Sequence, residues 1–261
     1  MSDAEKRPIF IIGPARSGTT IITQALRNGA HLPGYYEGHF LLLLKKLTDQ
    51  VDAFFHSKQS LLQNDLHMIA HVNKDALKLA LIEDFKRICE ELCPEEVWLD
   101  KSPDALMIQC IDNLRLAWPA CRFIFAKRRG IENICSRLRK FPNVDFESHC
   151  RIWANTMQSW LDIRDDLAGS FIEVEQREIA LNPNEVAALL VHFLGLEETH
   201  TSSISSVFTI NRPQSTGEIE SSLAISIDET GWTNQQIQIF REICGDVSAQ
   251  LGYGESSAYY Q

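Results

Sequence analysis

The sequence predicts an α/β fold: a parallel sheet with helices on both faces, in a single domain. Three observations carry this expectation. Short apolar runs alternate with amphipathic helical stretches from residue 8 to about 250. The runs at 8–13 (PIFIIG) and 121–126 (CRFIFA) are almost continuously apolar, the pattern of strands covered on both faces. Each run leads through a glycine- or cation-bearing turn straight into a helix, the strand–turn–helix unit of parallel sheets. The 261 residues suffice for one such domain. The expected boundaries are 1–261, with 1–7 as a disordered tail and 253–261 as a C-terminal tail.

Taken in order, 8–13 reads as a strand ending in glycine, and Ile22, Ala25 and Leu26 fall on one side of a helix over 19–28. Leu44, Leu47, Val51 and Phe54 mark a second helix; Leu77, Leu81, Phe85, Ile88 and Leu92 mark a third. Residues 97–99 read as a short strand and 103–118 as a helix carried by Met107, Cys110, Ile111 and Leu114. The strand at 121–126 is the clearest, and Ile131, Ile134, Cys135 and Leu138 place a helix directly after it. Cys150, Trp153, Met157, Trp160 and Leu161 define a longer helix whose tryptophans fit a core stripe. Residues 171–174 read as a strand and 183–194 as a helix. The Ser/Thr-rich stretch 203–230 reads as loop, and 233–251 as a closing helix with Phe240, Ile243, Val247 and Leu251 on one side.

Composition narrows the function. With 25 Lys and Arg against 35 Asp and Glu, the net charge is −10. Such a chain is a poor nucleic-acid or anionic-membrane binder and would hold an anion only in a local basic pocket. No run of about 18 apolar residues occurs, so no membrane span is expected. The start has no signal-peptide pattern, so a cytoplasmic location is expected. The seven cysteines are odd in number and contain no C-x-x-C pair, as expected of reduced, buried thiols. No metal-ligand cluster is visible.

Two segments carry chemistry. GPARSGTT (13–20) follows a strand and opens a helix, so its backbone N–H groups can converge on an anion. Its glycines match the spacing of the nucleotide-triphosphate loop G-x-x-x-x-G-K-[ST], but Thr19 holds the lysine position and the cation is Arg16, inside the loop. At the second strand end, Lys127, Arg128 and Arg129 open a helix, and Ser136 lies eight residues after Arg128. Three cations at a helix start oppose its dipole, and an anionic ligand would resolve that conflict. A guanidinium with a nearby hydroxyl suits a phosphate.

The pattern Arg-Ser-Gly-Thr-Thr after a strand resembles the donor loop of sulfotransferases that use 3'-phosphoadenosine 5'-phosphosulfate (PAPS) and release PAP. That resemblance implies a P-loop-like fold and a sulfuryl transfer to an acceptor. It assigns Arg16, Ser17, Gly18, Thr19 and Thr20 to the donor, and Arg128 with Ser136 to its 3'-phosphate. The family often has Asp-Pro after that Arg, where this chain has Arg129-Gly130. Lys101, in WLDKSP (98–103), occupies the place of a family lysine that contacts the transferring group. Small-molecule members carry their catalytic His two residues after that lysine, but here the position is Pro103. Glu37 lies 21 residues after Arg16, a spacing similar to the base of tyrosylprotein sulfotransferases. His39 competes for the role, since imidazole titrates near neutrality. Arg212, in the late polar loop, is a further candidate for the donor phosphate. Tyr35, Tyr36 and Phe40 flank the candidate base and either touch the acceptor or pack.

The acceptor is expected to be a small molecule, glycan or lipid; nucleic acid is not. In-line sulfuryl transfer resembles phosphoryl transfer, in which positioning and charge stabilisation dominate, so Arg16 and Lys101 can serve without a metal. Two other readings stand beside this one. A P-loop small-molecule kinase lacks support from Thr19 and from any acidic magnesium motif. A catalytically inactive nucleotide-binding protein of the same fold would bind PAPS without using Glu37 or His39.

Overall fold

The computed structural model describes residues 5–210 and 224–256. In chain order the elements are β1 (Ile9–Ile12), α1 (Thr19–Gly29), β2 (Gly34–Tyr35), α2 (Phe40–Ser57), α3 (Lys74–Leu92), β3 (Leu99–Lys101), α4 (Ala105–Gln109) and α5 (Ile111–Ala117). They continue as β4 (Arg122–Lys127), α6 (Gly130–Lys140), α7 (Phe146–Ile163), β5 (Phe171–Glu175), α8 (Gln176–Leu181), α9 (Pro183–Leu194), α10 (His200–Ile210) and α11 (Asn234–Gln250). The five strands form one parallel sheet in the order β2-β3-β1-β4-β5.

Strand alternation divides the core in two. Phe10 and Ile12 of β1, with Phe123 and Phe125 of β4, face a cluster that holds Trp98, Trp118, Trp153 and Trp160. Ile9, Ile11, Ile124 and Ala126 point the other way, onto Ile22, Leu26, Leu190 and Phe208. Because both faces are covered, these strands are apolar throughout, as the sequence predicts. Each fully buried Ile or Phe contributes roughly 1.5–3 kcal/mol relative to exposure.

Register then sets the site. Ile11 lies opposite Lys101 on one side and Ile124 on the other, and Ile12 lies opposite Phe125. β3 and β1 end within one residue of each other and β4 runs two residues further, to Lys127, while the connections after β1 and β4 run to opposite sides of the sheet. Such a carboxyl edge is where ligands bind in open α/β sheets.

Several expectations need correction. The polar stretch 203–230 is not all loop: α10 occupies its beginning, with Ile204, Val207 and Phe208 buried on one face. Its stripe is hidden among Ser and Thr, and it packs on α1 so closely that a Cβ on Gly29 would lie 2.7 Å from Ile204 N. The helix expected over 103–118 breaks at Cys110 into α4 and α5. The strand expected over 97–99 is β3, so Lys101 is within the strand rather than beyond it. β2 and α8 carry no distinct sequence signal. Phe54, Leu77 and Leu92 lie off the core, while α2 buries Leu41, Leu44, Thr48 and Phe55, and α3 buries Ile82, Phe85 and Cys89. Tyr253, where the tail is expected to begin, is buried and donates through its hydroxyl to Glu175 at 2.7 Å. No described helix is long and apolar enough to cross a membrane.

Candidate functional site

The first half of the site is the loop between β1 and α1. Gly13 has φ 128°, and a Cβ there would lie 2.2 Å from the Ala126 carbonyl oxygen, so only glycine lets the loop lie against β4. Gly18, at φ 92°, starts α1 and provides no side-chain cap. Arg16 lies between them at φ 76°, a left-handed conformation that side chains rarely adopt.

Helix α6 holds this loop from the side. Asn133 Nδ2 donates to the Ala15 carbonyl and to Ser17 Oγ, each at 3.0 Å. Arg16 Nε donates to Ser136 Oγ at 3.0 Å, and Arg128 Nη1 donates to the Arg16 carbonyl at 3.2 Å. Two motifs more than a hundred residues apart thus form one cluster of guanidinium and hydroxyl groups. Ser17 is fully buried, so its hydroxyl serves the loop's attachment to α6. Thr19 is buried as well.

Charge accumulates here. Burial, then the proximity of Arg139, lowers the Arg16 pKa; burial, then Arg16, lowers that of Arg137. Arg137 Nε donates to His149 Nδ1 at 3.2 Å, and burial followed by Arg137 lowers the His149 pKa, which keeps that imidazole a neutral acceptor. An anion placed among Arg16, Arg137 and Arg139 would relieve their mutual repulsion.

The conflict inferred for the three cations opening α6 is resolved differently. Lys127 pairs with Glu173 at 2.5 Å, and buried Arg129 pairs with Glu132. Arg129 also donates to the carbonyls of Gly254, Ser256 and Ile225. Two of the three charges are thus structural, leaving Arg128 to face the loop.

The second half of the site comes from β3 and the turn before α2. Lys101 is 2% exposed, and its Nζ lies 3.2 Å from Thr20 Oγ1 while also pairing with the Glu37 carboxylate. An ammonium is therefore supplied to the loop by a neighbouring strand, in place of the lysine missing at Thr19. The other Glu37 oxygen is 3.3 Å from His39 Nε2, and both side chains are half exposed or more.

The sequence did not point to the residues that clamp this turn. Gly38 N donates to the Lys101 carbonyl at 3.0 Å, and His39 N donates to Ser102 Oγ at 3.1 Å. Ser102 Oγ in turn donates to Asp100 Oδ2 at 3.0 Å. Burial pushes the Asp100 pKa up to about 6, against the opposing effect of the Ser102 hydrogen bond. A Cβ on Gly38 would lie 1.4 Å from Asp100 Oδ1, so the turn sits directly on that carboxylate. His39 has φ 53° and directly precedes α2, which starts without a side-chain cap. Both Arg16 and His39 hold left-handed φ at this edge, a kind of strain that clusters at functional sites.

The flanking aromatics are fixed too. Arg27 lies over the Tyr36 ring at 4.5 Å, and Phe40 stacks on Phe85 at 4.6 Å between centroids. Arg212 lies outside the described residues. Trp153 and Trp160 are core residues, as expected, and Trp153 Nε1 donates to the Arg128 carbonyl at 3.0 Å, which steadies the strand end. That contact, like those of Asn133, Asp100 and Ser102, depends on tertiary placement and has no local sequence signature.

The fold is shared with known proteins. Three solved structures superpose over nearly the whole chain. The sulfotransferase domain from the curacin biosynthetic pathway has a TM-score of 0.54 at 18% identity, covering 95% of this chain and 98% of that one. The sulfotransferase domain of the Synechococcus PCC 7002 olefin synthase gives 0.54 at 17%, covering 93% and 96%. A Mycobacterium avium sulfotransferase gives 0.55 at 13%, covering 96% and 78%. At these identities the likeness establishes the fold. No curated protein sequence matches the chain. The profile of the sulfotransferase family matches residues 8–200, most of the chain, and the protein belongs to that family.

Proposed function

We propose that this protein transfers the sulfuryl group of PAPS to a hydroxyl or amine of its acceptor by in-line displacement. The observation that carries the reading is the convergence of Arg16, Arg128, Ser136, Lys101 and Glu37 at the carboxyl ends of β1, β3 and β4. PAPS, when bound, supplies an activated sulfuryl group on a nucleotide with phosphates at both ends. The residues present fit such a ligand: guanidinium and hydroxyl groups on one side, and an uncapped helix start on the other.

In this reading Arg128 and Ser136 hold the 3'-phosphate, and the backbone of Gly18, Thr19 and Thr20 holds the 5' end. Arg16 and Lys101 stabilise charge on the transferring group and on the oxygen it leaves. Glu37 accepts the acceptor's proton, with His39 as its rival or its route to solvent. Lys101 bridges Thr20 and Glu37, and so couples donor loop and base through one side chain. The family match and the single sheet support reading 1–261 as one sulfotransferase-like domain. Seven free cysteines, six of them buried, support a cytoplasmic location.

The test is calorimetric titration with PAP, with MgATP run beside it. Binding of PAP and not ATP is the expected result. Binding of ATP alone would replace sulfuryl transfer with the kinase reading.

A further inference from the structure

Exposed apolar side chains are not spread evenly over this molecule. Of the seventeen large hydrophobic residues that stand exposed among the described residues, ten fall between Tyr35 and Leu79. That stretch begins at the candidate base and comprises α2, its connection to α3, and the start of α3.

Within α2 the exposed residues follow a pattern. Phe40, Leu43, Leu47, Val51 and Phe54 are spaced three, four, four and three residues apart, which places them on one stripe of the helix. The core face of α2 is a different one, formed by Leu41, Leu44, Thr48 and Phe55. The helix is therefore apolar on two faces, and the second meets the core only in part, through half-buried Leu47 and the stacking of Phe40 on Phe85. Phe40, Leu43 and Phe54 are 36%, 46% and 54% exposed, and Leu47 and Val51 are half-buried between them. From Phe40 to Phe54 the stripe runs about 21 Å at 1.5 Å per residue. Beyond its far end, Leu66 and Met68 are 91% and 84% exposed. Exposed apolar surface of this extent marks a binding surface on a water-facing protein.

The position of the stripe identifies its occupant. Phe40 directly follows His39, and its ring is fixed by stacking on Phe85. A ligand whose reactive hydroxyl lies at Glu37 and His39 meets this stripe next. The charged groups at its near end, Glu37 and His39, suit the polar head of such a ligand, while the stripe itself is apolar from Phe40 to Phe54. We infer that the acceptor is an amphiphile: an alcohol on an extended alkyl chain, with the hydroxyl at Glu37 and the chain laid along α2. This rests on the sulfuryl-transfer reading for the chemistry, but not for the binding.

The probe is a series of straight-chain primary alcohols from butanol to decanol. Affinity for the full chain is measured calorimetrically without donor, and kcat/KM is measured with PAPS. Each added methylene should raise both by about two- to fourfold, the value for half to full burial of a CH2. The double substitution Leu43→Ser with Phe54→Ser, at exposed positions that folding does not need, should flatten the rise and leave PAP affinity unchanged. Equal affinity for butanol and decanol would overturn the inference. So would an unchanged slope in the double variant, or a concentration-dependent dimer that the double variant abolishes, which would show a second copy on the stripe. Alcohol binding with the expected slope but no transfer, in a protein that fails to bind PAP, would defeat the donor reading and leave the stripe's assignment intact.

Discussion

Replacing Arg128 by alanine separates ligand binding from folding unusually well. The guanidinium lies at the end of β4 and donates to the Arg16 carbonyl at 3.2 Å. The backbone it grows from is held independently, by pairing with β1 and β5 and by Trp153 Nε1 on the Arg128 carbonyl at 3.0 Å. Truncation should therefore leave the strand in place and remove a charged donor. A hydrogen bond to a charged group contributes about 1.5–3 kcal/mol, which corresponds to about 10- to 150-fold in affinity. The assay is calorimetric titration at fixed ionic strength with PAP and with AMP, which lacks the 3'-phosphate. Arg128→Ala should weaken PAP by that factor and leave AMP unchanged. Undiminished PAP affinity would refute the 3'-phosphate assignment. Equal losses for PAP and AMP would refute it as well, because they would show that Arg128 acts by shaping the loop around Arg16.

Three further outcomes are expected. Glu37→Gln should leave PAP affinity intact and lower kcat by about 10²–10⁴, the range for a lost general base; a fully active variant would move the role to His39, to be checked with His39→Gln. Ser102→Ala removes the acceptor of His39 N–H and the donor to buried Asp100, so it should cost about 1–3 kcal/mol in denaturant unfolding and lower kcat without changing PAP affinity. Glu175→Gln tests pH dependence. Burial raises the Glu175 pKa to about 7, so its contribution to stability is full below the unfolded value near 4.5 and is lost as pH rises through 7. The amide keeps an acceptor for the Tyr253 hydroxyl without the charge. Its unfolding free energy, measured in denaturant, should match the parent's at pH 4 and exceed it above pH 7 by about 1–3 kcal/mol; a pH-independent difference would contradict this.

Much of this protein was legible because the physics was local. The β1 and β4 runs are apolar on both faces, and that alone dictates a sheet with two helical layers. The loop at 13–20 could be read because glycine, cation and hydroxyl positions are fixed by backbone geometry within a few residues. Other features were legible only after folding. α10 is a helix because Ile204, Val207 and Phe208 meet α1, a stripe that its Ser and Thr neighbours conceal. The stripes read from α2 and α3 mixed core with exposed positions, since periodicity reports a face without saying what covers it. The cations at the start of α6 looked like a demand for a ligand, yet Glu173 and Glu132 answer two of them from other places in the fold.

Arg16 bears on how such a chain would drift if its chemistry were no longer needed. Its φ of 76° costs an L-residue roughly 1–2 kcal/mol that glycine would not incur. Selection for stability alone would therefore favour Arg16→Gly, a change that relaxes the backbone while removing the charge at the donor loop. If Arg16 holds the donor as proposed, stability and activity pull this one position in opposite directions. On the proposed reading, a duplicated copy released from catalysis would be expected to shed Arg16 early and melt higher for it.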